Sequence, residues 1–182
     1  MALLIVAVAW GFAEATFFFL VPDVLLSAIA IADWRLALLA CLASLAGALA
    51  GGALMYRAGR RPDGAVRAFL LRIPGISPAM LERVAAEITS RGLRAVLLGP
   101  MSGTPYKLYA VEAGRRGLSP GGFLLVSVPA RLVRFVAVTL LAAWLAHGVF
   151  PALPAATRYA AWAVAWIAFY AWYFAAMRRR GR

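Results

Sequence analysis

Apolar residues fill long stretches of this chain, and within them they occupy every face of a helix, the pattern of helices that contact lipid or other helices. A bilayer core of about 30 Å needs about 20 such residues to cross it. Residues 35–56, 119–146 and 153–177 are long enough and predict transmembrane helices. The first contains Gly47 and Gly51, whose spacing would let another helix, of this chain or of a second copy, approach closely.

The stretch over residues 2–33 is apolar but broken. Glu14 lies near the middle of its first run, and Pro22-Asp23 interrupts the helical pattern, because proline lacks an N–H and its ring clashes with the preceding turn. The residues that follow are too few to span a bilayer. We predict two short helices that meet at Pro22 as a re-entrant hairpin. The alternative is one full helix over 2–21 with an interfacial segment after it.

The stretch over residues 93–114 is broken in a similar way. Two prolines and two glycines fall between Gly99 and Pro105, and they cannot lie in a continuous helix. Irregular backbone at membrane depth is tolerated only where protein or water covers it. The pattern therefore predicts a second re-entrant hairpin over 93–114, followed by the spanning helix 119–146.

Between the two broken stretches, residues 57–92 are polar and rich in arginine. Ser77-Pro78 is a typical helix start, with serine as the cap and proline in the first turn, and Gly92 is a typical end. The apolar residues of this helix share one face: Leu81, Val84, Ala85 and Ile88. We predict a loop that carries a helix on the membrane surface.

Positive charge in loops marks the cytoplasmic side of a membrane protein. The arginines therefore place the 57–92 loop and the C-terminus in the cytoplasm. Helix 35–56 separates the two hairpins, so they enter from opposite sides, and each is followed by one spanning helix. The expected fold is a single all-α membrane domain over 1–182, with two opposed hairpins and about three to four transmembrane helices in an inverted repeat, as in many secondary transporters.

The composition agrees with a membrane protein and argues against several other classes. The 182 residues are 64% hydrophobic and 14% charged, with a mean hydropathy of +0.83. The net charge of +12 comes from arginines in loops and at the C-terminus, which attract lipid headgroups, so no nucleic-acid partner is expected. With Cys41 as the only cysteine and His147 as the only histidine, we expect no disulfide, metal or cofactor. No catalytic motif is present, so an enzyme is not expected.

Five ionisable residues interrupt the apolar stretches: Glu14, Asp23, Lys107, Arg131 and Arg134. A charge at the membrane centre costs about 2.5–3.5 kcal/mol, so these five require mutual pairing or a wet cavity. The acids belong to the first broken stretch, and the bases belong to the second and to the helix after it. Hairpins that face each other would therefore bring opposite charges together.

Arg131 and Arg134 are three residues apart and share a helix face. Two guanidinium groups beside Lys107 would suit a phosphate, because arginine binds it with two parallel hydrogen bonds. The alternative is a structural ion-pair network, although apolar residues would serve stability alone at lower cost. Ser102 and Thr104 are weaker candidates for polar contacts at the tip of the second hairpin.

Three segments carry a family resemblance. AEATFFFLVPDVLL has a glutamate, then a proline and an acid; AGALAGGALMYRAGR is rich in small residues and ends in Tyr-x-x-Gly-Arg; TPYKLYAVEAG is followed by FLLVSVPARLVRF. These segments resemble the DedA family of membrane proteins, also called SNARE-associated or VTT-domain proteins, and above all its YqaA-like bacterial branch. Met101 stands where many members have arginine, and Ala130 stands where the branch often has glycine. The matching residues are Glu14, Asp23, Tyr56, Gly59, Arg60, Pro105, Tyr106, Lys107, Ala113, Gly114, Arg131 and Arg134.

The resemblance implies two facing re-entrant hairpins and an activity that moves lipids between leaflets. In bacterial members of the family this is associated with the polyprenyl-phosphate carrier, and in eukaryotic relatives with phospholipid scrambling. It adds Tyr56, Arg60 and Tyr106 to the candidate binding residues. We therefore expect a flippase-like or scramblase-like transporter in the bacterial cytoplasmic membrane, with phosphate-bearing lipids as partners and a homo-oligomer as an open option. The alternatives are a proton- or ion-coupled transporter of a small anion, and a structural membrane protein without transport.

Overall fold

A computed structural model describes residues 1–62, 64–99 and 103–180, with side chains up to residue 176. These residues form nine α-helices, one π-helical turn and no β-strand. The helices are α1 (Ala2–Thr16), α2 (Asp23–Ala32), α3 (Trp34–Gly59), α4 (Ala65–Leu70), α5 (Pro78–Arg91), α6 (Leu93–Leu98), α7 (Tyr106–Arg115), α8 (Pro120–Trp144, continued by the π-helical turn Leu145–Val149) and α9 (Ala155–Arg180).

Three of these helices are long and apolar enough to cross a membrane. They are α3, α8 with its π-helical turn, and the Ala155–Ala176 part of α9. Each coincides with a span predicted from the sequence. The bounds differ by at most three residues, since α3 continues past the predicted end to Gly59 and the α8 span continues to Val149.

The helices α1 and α2 are shorter, with 15 and 10 residues, and neither reaches the length of about 20 that a span requires. α1 ends at Thr16, whose hydroxyl donates to the carbonyls of Phe12 and Ala13. A single helix over residues 2–21, the alternative left open by the sequence, is therefore wrong. A short loop connects α1 to Pro22, which precedes the first turn of α2.

Small residues let α3 pack closely on both sides. A Cβ atom on Gly47 would lie 1.9 Å from the carbonyl oxygen of Val8, so α1 rests directly on this glycine. On another face, Gly52 contacts Tyr106 and Gly59 contacts Val111, both in α7. The Gly47 and Gly51 face thus packs within the chain, and α3 lies between the two broken stretches.

The contacts of α3 also give the direction of its neighbours. Ala7 lies beside Ser44 and Thr16 beside Gly51, so α1 runs parallel to α3. α7 runs parallel to it as well, with Tyr106 level with Gly52. The loop after α1 and the start of α7 therefore meet at one level, beside the C-terminal half of α3. α8 runs antiparallel, since Tyr56 stacks on Phe123 and Cys41 lies 3.2 Å from Thr139.

The polar region between the broken stretches is more helical than predicted. The short helix α4 was not expected, whereas α5 begins and ends as the sequence indicates, with Ser77 as its cap, proline in its first turn and Gly92 after its last residue. The four predicted apolar positions of α5 are all buried. Three of them, Leu81, Val84 and Ile88, belong to the core cluster that includes residues of α6 and α7, so protein covers this face.

Candidate functional site

Two acid–base pairs join the broken segments to α8. Arg131 contacts Glu14 through both terminal nitrogens, with Nη1 3.4 Å from Oε1 and Nη2 bonded to Oε2. Arg134 places Nη2 3.2 Å from Oδ2 of Asp23. The predicted meeting of opposite charges is confirmed for these four residues. They are held in place because Arg131 and Arg134 share one face of α8, while Glu14 lies in the last turn of α1 and Asp23 begins α2.

Aromatic rings enclose the buried guanidinium of Arg131. Its carbon lies 4.7 Å from the ring centre of Tyr106 and 5.0 Å from that of Phe135, within the range of cation–π attraction. Tyr106 donates to the Ser127 hydroxyl at 2.9 Å, and Ser127 donates to the Phe123 carbonyl at 2.7 Å. The position of Arg131 is thus determined by a carboxylate on one side and by oriented rings on the others.

Lys107 links the two broken segments without a carboxylate. Its ammonium donates to the carbonyl of Phe18 at 2.7 Å, which connects the first turn of α7 to the loop after α1. Among the described residues, no acid lies within ion-pair distance of it. The lysine is buried, and the whole of α7 from Tyr106 to Gly114 is buried with it. A cation is therefore held at this point by one neutral acceptor.

A cavity of about 130 Å³ opens beside these charges. It has room for several water molecules, or for one polar group of similar size. Its polar wall consists of Glu14, Tyr106, Lys107, Arg131 and Arg134. Its other wall is aromatic and apolar, and includes Phe18, Phe19, Ile73, Phe169, Tyr170 and Tyr173. A cavity with one charged wall and one apolar wall suits a ligand that is polar at one end.

The aromatic residues of α9 were not predicted as part of a site. Tyr170 accepts a hydrogen bond from the backbone N–H of Val21 at 3.0 Å, and Trp162 and Trp166 both donate to Ser27 in α2. The sequence showed only that tryptophan and tyrosine are frequent in this span, which lipid contact explains equally well. Ile73, Pro74 and Ile76 were missed as well, because no pattern in the loop connects them to the charges.

The helix α5 supports the second broken segment from outside the three spans. Arg83 donates to the Thr104 hydroxyl at 2.5 Å, and Tyr109 donates to Glu87 at 2.6 Å. Burial, together with the adjacent carboxylate of Glu87, raises the pKa of Tyr109 to about 12. Its hydroxyl therefore remains a donor at neutral pH.

Other predicted residues lie apart from the charges. Arg60 is exposed at the end of α3. Tyr56 is separated from Tyr106 by the ring of Phe123, which stacks on both. The Tyr56 hydroxyl donates to the carbonyl of Leu118. Thr104 lines the cavity, whereas Ser102 lies outside the described residues.

Three long apolar helices around buried ion pairs indicate a membrane protein. Comparison with known proteins finds no matching family model, no matching curated protein and no matching solved structure. Within the described residues, no three His, Cys, Asp or Glu side chains are grouped as a metal site would require. The buried charges and the cavity are therefore the features of this chain that point to a function.

Proposed function

We propose that this protein moves a phosphate-bearing lipid, such as polyprenyl phosphate or a phospholipid, between the leaflets of the bacterial cytoplasmic membrane. The observation that carries the proposal is the cluster of buried charges beside the cavity. Three cations (Lys107, Arg131 and Arg134) face two carboxylates (Glu14 and Asp23), which leaves a formal charge of +1. An anion that entered the cavity would neutralise this excess.

Unused donors support an anionic ligand. Among the described residues, Nε of Arg131 is buried and has no hydrogen-bond acceptor, and Nη2 of Arg134 lies 3.2 Å from Asp23 without the geometry of a hydrogen bond. Most buried polar atoms in proteins are hydrogen-bonded, so such exceptions need a reason. A phosphate carries several acceptor oxygens and could accept from both guanidinium groups at once. Asp23 also has a buried oxygen, Oδ1, without a donor, which water or a proton would satisfy.

The proposal includes two re-entrant hairpins, α1–α2 and α6–α7, that enter from opposite faces. It is supported by the direction of the helices. α1 runs parallel to α3, and α2 returns antiparallel to α3 after a loop level with Gly51. α7 starts at the same level and runs towards the other end of α3. Each hairpin precedes one span, as an inverted repeat requires, and broken helices that meet near the midplane form the binding sites of many transporters.

The apolar wall supports a lipid over a soluble anion. α9 contributes rings to the cavity, and no residue of its Ala155–Ala176 part is fully buried in the protein. A headgroup could reach the arginines while its hydrocarbon tail stayed in the bilayer beside α9. The phosphate would compete with Glu14 and Asp23 for the guanidinium groups, and protonation of either carboxylate would release its arginine for the ligand. The resemblance to the DedA family agrees with this proposal.

A transport assay in proteoliposomes tests the proposal. Headgroup-labelled phospholipid or polyprenyl phosphate is incorporated with the protein, and label in the outer leaflet is destroyed by an impermeant reagent. We expect Lys107→Gln and Arg134→Gln to slow lipid movement about tenfold or more, because each removes a charge-assisted contact to the phosphate.

Arg115→Gln is the matched control, since it removes an arginine of α7 that pairs with Glu112 and lines no part of the cavity. It should leave the rate unchanged. Folding of each variant is checked by gel filtration and thermal melting. Equal rates in all variants, or no lipid movement by the native protein, would contradict the proposal.

A static ion-pair network is the second candidate, favoured by the double contact between Arg131 and Glu14. Exchange of the two charges, Glu14→Arg with Arg131→Glu, distinguishes the candidates. A static pair needs only opposite charges, so the exchanged protein should then recover its melting temperature, and the native protein should move no lipid.

A further inference from the structure

A second concave surface lies beside the loop that follows α1, on the side away from the cavity. It is a groove between the end of α1, the C-terminal half of α3 and α4, with a volume of about 410 Å³. Phe17 lines the groove, whereas Phe18 and Phe19 line the cavity, and no residue lines both. The groove is thus separate from the proposed transport site.

The groove is apolar and exposed. Phe17, Leu54 and Phe69 line it and leave between 40% and 56% of their surface accessible. Thr16 lines the groove, and its hydroxyl already donates to the carbonyls of Phe12 and Ala13. This part of the surface therefore offers apolar contacts, and an occupant does not need to hydrogen-bond to Thr16. Such a surface suits a hydrocarbon chain.

The length of the groove matches one leaflet. Phe12 lies level with Gly51, and α3 ends eight residues later at Gly59, a rise of about 12 Å. Half of a bilayer core is about 15 Å. Arg61, which also lines the groove, follows the end of α3, where the headgroup region would begin.

The polar end of the groove is strongly basic. Arg57, Arg60 and Arg61 are exposed and form no ion pair with described residues, and Asp63 is the only acid near them in sequence. By contrast, Arg67 in the adjacent α4 pairs with Glu82. Exposed arginines next to a bilayer attract anionic headgroups. Charge and shape therefore point to the same occupant.

We infer that this groove binds one anionic phospholipid of the surrounding leaflet, with a hydrocarbon chain against Leu54, Met55 and Phe69 and the headgroup phosphate on Arg61. The inference is independent of transport. It needs only that the three long helices lie in a membrane. The bound lipid would contact Phe17 and Thr16, and so would stabilise the end of α1 on α3.

Native mass spectrometry of the detergent-purified full chain tests this site. Phosphatidylglycerol and phosphatidylcholine with identical chains are added separately. We expect one phosphatidylglycerol to bind the native protein, with weaker binding of phosphatidylcholine. Arg61→Gln should weaken the phosphatidylglycerol complex about fivefold, the loss expected for one basic contact with an anionic lipid.

Two matched control variants test whether lipid binding depends on the residues that line the groove. Arg72→Gln removes an exposed arginine of the same region that does not line it, and Leu42→Trp enlarges an exposed leucine elsewhere on α3. Both should bind lipid as the native protein does, whereas Leu54→Trp should block the groove and lose the lipid.

Three results would overturn the inference: equal losses in Arg61→Gln and Arg72→Gln, unchanged binding in Leu54→Trp, or equal retention of the two lipids. Displacement by soluble glycerol phosphate would instead indicate a site for a free phosphate group and would also count against a lipid. All substituted residues are exposed, so the variants should fold, and their melting temperatures verify this.

Discussion

Glu14 and Asp23 both bury a carboxylate, but their partners differ in access to solvent. The side chain of Arg131 is 1% exposed, whereas that of Arg134 is 30% exposed. Loss of one partner from a fully buried pair leaves an uncompensated charge, at a cost of about 3–5 kcal/mol. Glu14→Gln should therefore lower the melting temperature more than Asp23→Asn, because Arg134 can turn towards solvent and Arg131 cannot.

The double substitution Glu14→Gln with Arg131→Gln is the control for this prediction. It removes both charges and retains two polar side chains of similar size, so most of the lost stability should return. Thermal melting of the purified variants measures all three. A larger loss for Asp23→Asn than for Glu14→Gln would show that burial does not govern these pairs.

The charged part of the site could be predicted from the sequence because charges are rare in apolar stretches and each one requires a partner. Glu14, Asp23, Arg131 and Arg134 follow from that argument. The aromatic wall could not be predicted, since a tyrosine such as Tyr170 is equally suited to lipid and to a cavity. Tyr56 and Arg60 entered only through the family resemblance, and the structure places both away from the charges.

The close approach of α1 and α3 depends on glycines in both helices, Gly11 in α1 and Gly47 in α3. A Cβ atom on Gly47 would overlap the Val8 carbonyl, so Gly47→Ala should force the helices apart and destabilise the protein by about 1–3 kcal/mol. Gly121→Ala is the matched control, since a Cβ atom on this helical glycine of α8 would meet nothing within 4 Å.

The control should be neutral, or more stable by up to about 1 kcal/mol, because alanine favours a helix. Thermal melting of the two variants side by side gives the comparison. Equal stability of Gly47→Ala and the native protein would mean that α1 can shift on α3 without cost.

Helix bounds were predictable where local chemistry sets them. α5 has its cap, its proline and its terminal glycine in sequence, and the structure agrees. α4 has only six residues and begins after Gly64, which adopts a positive φ of 67° and supplies no side-chain cap. The end of α3 depends on packing, because Gly59 lies against Val111 of a helix distant in sequence. Such contacts are invisible in a single sequence.

The arginines predict an orientation of the protein in the membrane, and cysteine labelling tests it. Cys41 is buried and is the only cysteine, so a Cys41→Ala background provides a protein without thiols. In that background, we expect an impermeant maleimide to label Ala152→Cys in intact cells, and Arg72→Cys only after the membrane is opened.

The residues at both positions are exposed and lie outside the three spans, so access depends on the side of the membrane alone. The reverse pattern would invert the predicted orientation. Labelling of both positions from outside would show that α8 does not cross.

α9 lines one side of the cavity, and hydrogen bonds of Tyr170, Trp162 and Trp166 join it to Val21 and Ser27. A helix joined by few hydrogen bonds can move aside and open the cavity to the bilayer. A lipid that enters from the bilayer loses water only from its headgroup. The length of its tail then has no bearing on fit. If the proposed transport occurs through this opening, selectivity should depend on the headgroup, and lipids with short and very long chains should be handled alike.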